Sequence, residues 1–146
     1  MKPLLRLLLR AGGAPLAVLI FHHKIQHTRF REPLDFVMHY SGGVAISFFL
    51  WHALDCFAHW FGRLTVFARY LFTFTLACTV GLFWEFAEFF SDFVFSTHIQ
   101  YSVHETMRDL IADATGALTT VTLTWLVRCF TVKPVATADQ PPASQV

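Results

Sequence analysis

The stretch from Leu64 to Phe93, LTVFARYLFTFTLACTVGLFWEFAEFFSDF, decides the fold class of this chain. Its first two thirds carry one charged residue, Arg69, and a helix needs about 20 mostly apolar residues to cross the hydrocarbon core of a bilayer. The stretch is longer than a bilayer requires, so we expect the helix either to tilt or to extend its last turns into the headgroup region. It therefore predicts a membrane-spanning helix with an acidic end.

Three other stretches extend this prediction to a bundle. Leu34 to Phe57 and Arg108 to Phe130 are also apolar and long enough to span. The N-terminal stretch has a basic start before an apolar run, which is also typical of a signal peptide. It lacks a small-residue cleavage pattern, so we expect a retained helix whose Arg6 and Arg10 snorkel at the interface. The chain is thus predicted to be an all-α, polytopic integral membrane protein with the fold of a four-helix bundle. The predicted helices lie at about 4–21, 34–57, 64–93 and 108–130, within a membrane domain of residues 1–133. Residues 134–146 are predicted to form a disordered tail.

Composition and charge support the membrane class and indicate an orientation. Hydrophobic residues make up 55% of the chain and charged residues 14%, which excludes an ordinary soluble domain. The basic residues are scattered, so nucleic acid is not a predicted partner. Of 11 Lys and Arg residues, seven fall on the side that holds both termini: Lys2, Arg6, Arg10, Arg63, Arg69, Arg128 and Lys133. This excess places both termini in the cytoplasm. If the first segment were cleaved, four basic residues would remain on each side and the orientation would be undetermined.

Ionisable residues recur at helical spacing at one end of three predicted helices. They are Asp35 and His39 at a helix start, Glu85, Glu88 and Asp92 at a helix end, and Asp109 and Asp113 at the next helix start. In an alternating bundle these three ends lie on one side, so we expect the groups to converge near the outer membrane surface. His104 and Glu105, in the predicted connection before the last helix, can join them. Glycines on the same faces would let the helices approach closely.

Such a cluster needs compensation, because neighbouring carboxylates cannot all be ionised without cations. A divalent metal is the simplest compensation, and carboxylates with imidazole suit Zn²⁺, Mn²⁺ or Fe, whereas carboxylates alone suit Mg²⁺ or Ca²⁺. Protons shared between carboxyls, or pairing with Arg108 and Arg31, are alternatives. The helix macrodipole alone would explain Asp35 and Asp109 but not a glutamate at a helix end. The predicted metal ligands are Asp35, His39, Glu85, Glu88, Asp109 and Asp113, with Asp92 and His104 as further candidates.

Two other groups of histidines are interpreted as interfacial. His52, Asp55 and His59 share one face of a single helix, which favours a solvated patch over a metal site. His22, His23 and His27 fall in the predicted connection after the first helix and are interpreted in the same way.

The order of these motifs resembles a family. Asp35-xxx-His39-xxx-Gly43, the acidic helix end, and a Thr106-Met107-Arg108-Asp109 run that leads to Asp113-xx-Gly116-Ala117 are similar to the small VanZ-like and YjdF-like bacterial membrane proteins over about residues 34–120. The resemblance implies a bacterial inner-membrane protein, linked in the VanZ case to glycopeptide tolerance at the cell envelope. It supplies no catalytic residue.

Three functions follow from the cluster as hypotheses. The first is a metal-dependent membrane hydrolase or transferase acting on a lipid or lipid-linked substrate, with Glu85 or Glu88 as the general base and Arg108 holding an anionic headgroup. The second is a proton- or cation-coupled transporter, which a homo-oligomer would complete. The third is a non-catalytic subunit of an envelope complex.

Overall fold

The computed structural model describes residues 2–25, 28 and 31–131, and every regular element within them is helical. The helices are α1 (Pro3–Ala11), α2 (Gly13–Ile25), α3 (Arg31–Cys56), α4 (Ala58–Phe61), α5 (Val66–Phe95) and α6 (Val103–Thr131). The prediction of an all-α membrane protein is confirmed. The predicted disordered tail lies outside the described residues.

The surface of α5 shows why the protein belongs in a bilayer. The residue before the helix, Thr65, caps its start, and the Thr65 side chain accepts a hydrogen bond from the Ala68 amide at 3.2 Å. The residue after it, Ser96, caps its end with a left-handed backbone of φ 51°. Between these ends, large apolar side chains such as Phe67 and Phe93 are more than three quarters exposed. Contiguous apolar surface of this extent is not stable in water. Helices α5 and α6 are both long and apolar enough to cross a membrane.

The central helix, α3, corrects one prediction. The stretch 34–57 was expected to qualify as a span, but α3 is not among the helices apolar enough to do so by composition. Asp35, His39 and a Ser41-Gly42-Gly43 run lower its hydropathy. Helix α3 contacts all five other helices, and a helix enclosed by others does not need a fully apolar surface.

The N-terminal segment also differs from its prediction. Instead of one helix at 4–21, two helices run to Ile25 with a 58° bend between them, and together they have the composition of a third span. Gly12 lies at the bend and Pro15 follows within one turn. Proline lacks the amide hydrogen for the preceding turn and its ring clashes with that turn's carbonyl group, which accounts for the bend.

The start of α6 is a further correction. The helix was predicted from residue 108 but begins at Val103, so His104 and Glu105 lie in its first turn and not in a connection. Ser102 Oγ accepts a hydrogen bond from the Glu105 amide at 3.2 Å, and Glu105 Oε2 accepts one from the Tyr101 amide at 2.9 Å. Ser102 and Glu105 have the spacing of a capping box, with the Glu105 carboxylate bonding the amide one residue before the cap, and the two hydrogen bonds fix the helix start.

Contacts along the helices establish their relative directions. The Thr120 hydroxyl donates to the Val44 carbonyl at 3.3 Å, and Tyr40 donates to Thr119 at 3.2 Å, so α3 and α6 run in the same direction. Arg69 at the start of α5 bonds the Trp51 carbonyl near the end of α3 at 2.9 Å, so α5 runs in the opposite direction. The start of α3, the end of α5 and the start of α6 therefore lie at one end of the bundle.

Candidate functional site

Three side chains from three helices meet at that end of the bundle. His39 Nδ1 of α3 lies 3.3 Å from Asp113 Oδ2 of α6 and 3.8 Å from Glu85 Oε1 of α5. One ligand atom from each of the three lies within 4.8 Å of the others. We call these three residues the inner group.

The inner group is buried and incompletely paired. His39, Glu85 and Asp113 are each at least nine-tenths buried. Glu85 Oε1 has no hydrogen-bond partner among the described residues, although it faces His39 and Asp113. A buried carboxylate oxygen without a hydrogen bond is costly, so a positive charge beside it is favoured, either on a protonated His39 or on a bound cation.

Close helix packing beneath Asp113 sets the geometry of the inner group. A Cβ atom added at Gly81 of α5 would lie 2.6 Å from Asp113 Oδ2, and one added at Gly43 of α3 would overlap the Asp113 carbonyl oxygen. Gly116 of α6 is equally close to the Tyr40 carbonyl oxygen of α3. Glycine at these positions brings the three backbones close enough for short carboxylate side chains to reach one another.

A second layer of charges surrounds Arg108. Its guanidinium lies 3.5 Å from Asp35 Oδ2, 3.3 Å from Asp109 Oδ1 and 3.9 Å from Glu105 Oε1. We call these four residues the outer group. Asp35 and Asp109 also form a metal-compatible triad with His39, and Arg108 supplies one positive charge beside their two carboxylates. The sequence hypothesis of pairing with Arg108 therefore applies to the outer group, whereas the side chain of Arg31 lies outside the described residues.

Glu85 receives one hydrogen bond that sequence reasoning missed. Gln100, in the connection between α5 and α6, donates to Glu85 Oε2 at 3.2 Å and to the Glu85 carbonyl at 3.3 Å. The connection reaches back to α5 because both oxygens of Asp92 hold it. Oδ1 accepts from the Thr97 hydroxyl at 2.6 Å and the Ile99 amide at 2.8 Å, and Oδ2 accepts from the Gln100 amide at 2.8 Å.

The role of Asp92 can be tested through its loop. Asp92→Ala removes the two oxygens that accept these three hydrogen bonds, and hydrogen bonds to a charged group are the stronger kind. We expect amide hydrogen exchange at Ile99 and Gln100 to accelerate by at least about tenfold. Asp92→Asn keeps one acceptor oxygen and should give an intermediate rate. Unchanged exchange in Asp92→Ala would show that other contacts hold the loop.

Two other predicted ligands lie apart from the metal-compatible groups. Glu88 is half-buried on α5 one turn beyond Glu85, and its Oε1 accepts a hydrogen bond from Trp84 Nε1 at 2.8 Å. His104 is exposed in the first turn of α6. Neither belongs to the triads that the described residues form, and Asp92 does not belong to them either.

The histidine groups interpreted as interfacial have separate environments. Asp55 pairs with Arg69, whose guanidinium also lies 3.9 Å above the Trp51 ring, so this end of the bundle is held by a cation–π and ion-pair contact. His22 and His23 lie in the last turn of α2 and not in a loop, which corrects that placement, and His27 lies outside the described residues. The His22 ring lies 5.4 Å from the Trp84 ring and 6.5 Å from His39.

Comparison with known proteins identifies the family. A profile of predicted membrane proteins, DUF2238, matches residues 8–130. The chain belongs to this family. The match does not confirm the resemblance to VanZ-like or YjdF-like proteins. No curated protein and no solved structure matches the chain. The family and the geometry together establish a membrane protein in which buried carboxylate and histidine side chains form a group able to hold a metal ion.

Proposed function

We propose that this protein is a divalent-metal-dependent membrane enzyme, a hydrolase or transferase that acts on a lipid or lipid-linked substrate of the cell envelope. The observation that carries the proposal is the unpartnered Glu85 Oε1. It is buried, it faces His39 and Asp113, and the three ligand atoms fit around one ion.

Charge balance supports a divalent cation in the inner group. With His39 neutral, the carboxylates of Glu85 and Asp113 carry two negative charges, which one divalent ion neutralises. Three protein ligands also leave a position open, as catalytic metal sites do. Imidazole with two carboxylates suits Zn²⁺, Mn²⁺ or Fe, and Mg²⁺ is a weaker fit because it prefers oxygen ligands throughout.

The depth of the inner group supports a lipid substrate. Glu85 lies ten residues before the end of α5, and Asp113 ten residues after the start of α6, or about 15 Å along each axis. Helix α5 has 30 residues and is about 15 Å longer than the hydrocarbon core. If α5 is centred on the bilayer midplane, the inner group therefore lies roughly 8 Å below the headgroup boundary. The polar part of a lipid can reach this depth.

The neighbouring residues provide roles for a hydrolytic reaction. A divalent metal in the inner group would supply Lewis acidity toward a phosphoryl or acyl oxygen. Glu88, half-buried and oriented by Trp84, would accept a proton as water forms its bond to phosphorus or carbon and the leaving oxygen departs with the bonding electrons. In a transferase an acceptor hydroxyl would replace the water. Arg108 would contact an anionic headgroup from the outer group.

The proposed setting is the bacterial plasma membrane, with both termini in the cytoplasm. The seven-to-four distribution of basic residues supports this orientation. In this orientation the inner and outer groups would face the external leaflet. The resemblance to VanZ-like and YjdF-like proteins supports a role at the envelope. Lipids or lipid-linked intermediates would be the partners.

Metal content of the wild-type protein is the primary test. Protein purified without chelator and exchanged into metal-free buffer should retain close to one equivalent of a transition metal by elemental mass spectrometry. Reconstitution with Zn²⁺, Mn²⁺, Fe²⁺ or Mg²⁺ alone would then rank the ions. Less than a tenth of an equivalent after reconstitution with each ion would overturn the proposal.

A further inference from the structure

A cavity lies beside the inner group, between the N-terminal helix pair and the α3–α5 face. Its volume is about 550 Å³, within the range of about 300–1,000 Å³ that small-ligand pockets have. Most of its lining is aliphatic or aromatic and comes from four helices. Representative residues are Leu8 on α1, Leu16 and Leu19 on α2, Ile46 and Phe49 on α3, and Val80 on α5.

The cavity is bounded by a helix pair whose backbone packs closely against α3 but not against α5. Helices α1 and α2 both pack against α3, but within the described residues the Cα atoms of α2 and α5 stay more than 8 Å apart. Leu16 and Leu19 line the cavity and are still about half exposed. Apart from the contact between the His22 and Trp84 rings, the gap between α2 and α5 therefore opens sideways, toward the hydrocarbon region of the bilayer.

One end of the cavity is polar. His39 and Asp113 of the inner group belong to its lining, so the cavity and the candidate metal site share two side chains. His22 and Trp84 also line it, and their rings meet edge to face at 5.4 Å. The cavity thus combines an apolar part that is open to lipid, which we call the slot, with one polar end where the candidate metal ligands His39 and Asp113 lie.

The geometry points to a single hydrocarbon chain as the occupant, the acyl or prenyl chain of a membrane amphiphile whose polar group reaches His39 and Asp113. This inference deepens the proposed function, on which it rests for the polar end, by naming the substrate class. Lipid tails are as apolar as the cavity walls, so moving a chain from the bilayer into the cavity contributes little binding free energy by itself. The slot instead sets the position of the reacting polar group next to the inner group.

Gly42 offers a way to block the slot with only an ordinary van der Waals contact between the added Cβ atom and the inner group. It lines the cavity, and a Cβ atom added there would meet only Asp113 Oδ1, at an ordinary contact distance of 3.7 Å. The rest of a leucine side chain would occupy the cavity. Gly13 provides the matched control, because it lies outside the cavity lining and an added Cβ there has nothing within 4 Å. Leu16→Trp fills the slot from the opposite wall and serves as a second variant.

The experiment uses two photoreactive probes in nanodiscs, a phosphatidylglycerol with a diazirine in its acyl chain and a prenyl phosphate with a diazirine in its prenyl chain. We expect at least one probe to label Leu16, Leu19 or Val80 in the wild type. Labelling there should fall at least fivefold in Gly42→Leu and Leu16→Trp, and remain in Gly13→Leu. The probe that labels identifies the chain type.

Metal content measured in the same samples separates this inference from the proposed function. Gly42→Leu should keep its metal while it loses labelling. Labelling spread evenly over exposed residues such as Phe67 and Phe130, or unchanged in both blocking variants, would overturn the chain site even if metal is bound. Selective labelling in a protein that binds no metal would leave the chain site standing and overturn the metal-dependent function.

Discussion

Glu85→Gln should reduce the metal affinity of the protein by at least about 100-fold, since loss of an outer-shell partner alone costs about 10–100-fold. Glutamine has nearly the shape of glutamate, and its amide can keep one contact with Gln100. It cannot supply the second negative charge that balances a divalent cation beside Asp113. Titration of metal into the apo-protein, followed by calorimetry or elemental analysis, measures the change.

Glu88→Gln is the matched control for this prediction. The same substitution one turn along α5 alters a carboxylate that bonds Trp84 and lies outside the metal-compatible triads. We expect Glu88→Gln to bind metal with affinity within about threefold of the wild type, since it lies outside the ligand set. Equal losses in the two variants would contradict the assignment of the inner group, because a general loss of acidic charge would then explain both.

The contrast between these two glutamates shows what the sequence could and could not predict. Alternation of helix direction was enough to place the acidic ends of three helices at one end of the bundle. Spacing along α5 put Glu85 and Glu88 on one broad face, but it did not fix the line along which α5 meets α3 and α6. That line runs through Gly81 and Glu85, where the small residue allows close approach, and it leaves Glu88 beside Trp84.

The ends of the helices were harder to predict, for local reasons. Ser102 and Glu105 form a capping-box pattern that could have located the start of α6 from the sequence, but the apolar run that defined the prediction begins only at residue 108. Asp92 has the spacing of a ligand, yet it binds backbone amides of its own loop. The contact from Gln100 to Glu85 had no sequence signal, because it depends on the loop path that Asp92 imposes.

The polarity of α3 is a further case in which the sequence of one segment did not predict its surroundings in the fold. Hydropathy treats each helix as if lipid surrounded it, whereas α3 packs against every other helix in the described part of the chain. Its Asp35 and His39 face protein groups and not lipid. Enclosure of this kind depends on packing and is not visible in the composition of one segment.

Gly116→Ala should destabilise the protein by about 1–3 kcal/mol, the usual cost of overpacking, and should also weaken metal binding. The added Cβ atom would overlap the Tyr40 carbonyl oxygen and lie 3.0 Å from the Val44 amide nitrogen, and both are backbone atoms of α3. Neither can rotate away, so α3 and α6 must separate. Separation lengthens the 3.3 Å contact between His39 and Asp113, which lies one turn away.

Gly42→Ala is the control that isolates this close approach from the general effect of replacing a helical glycine. Its Cβ would meet only a carboxylate oxygen at 3.7 Å, so we expect stability unchanged or raised by up to about 1 kcal/mol through better helix propensity. Unfolding in mixed detergent micelles measures both variants, and metal titration reports on the site. If the two alanine variants are equally stable and bind metal equally well, the α3–α6 contact does not set the geometry of the inner group. If only Gly116→Ala loses stability and metal affinity, the distance between α3 and α6 controls how tightly the inner group binds metal.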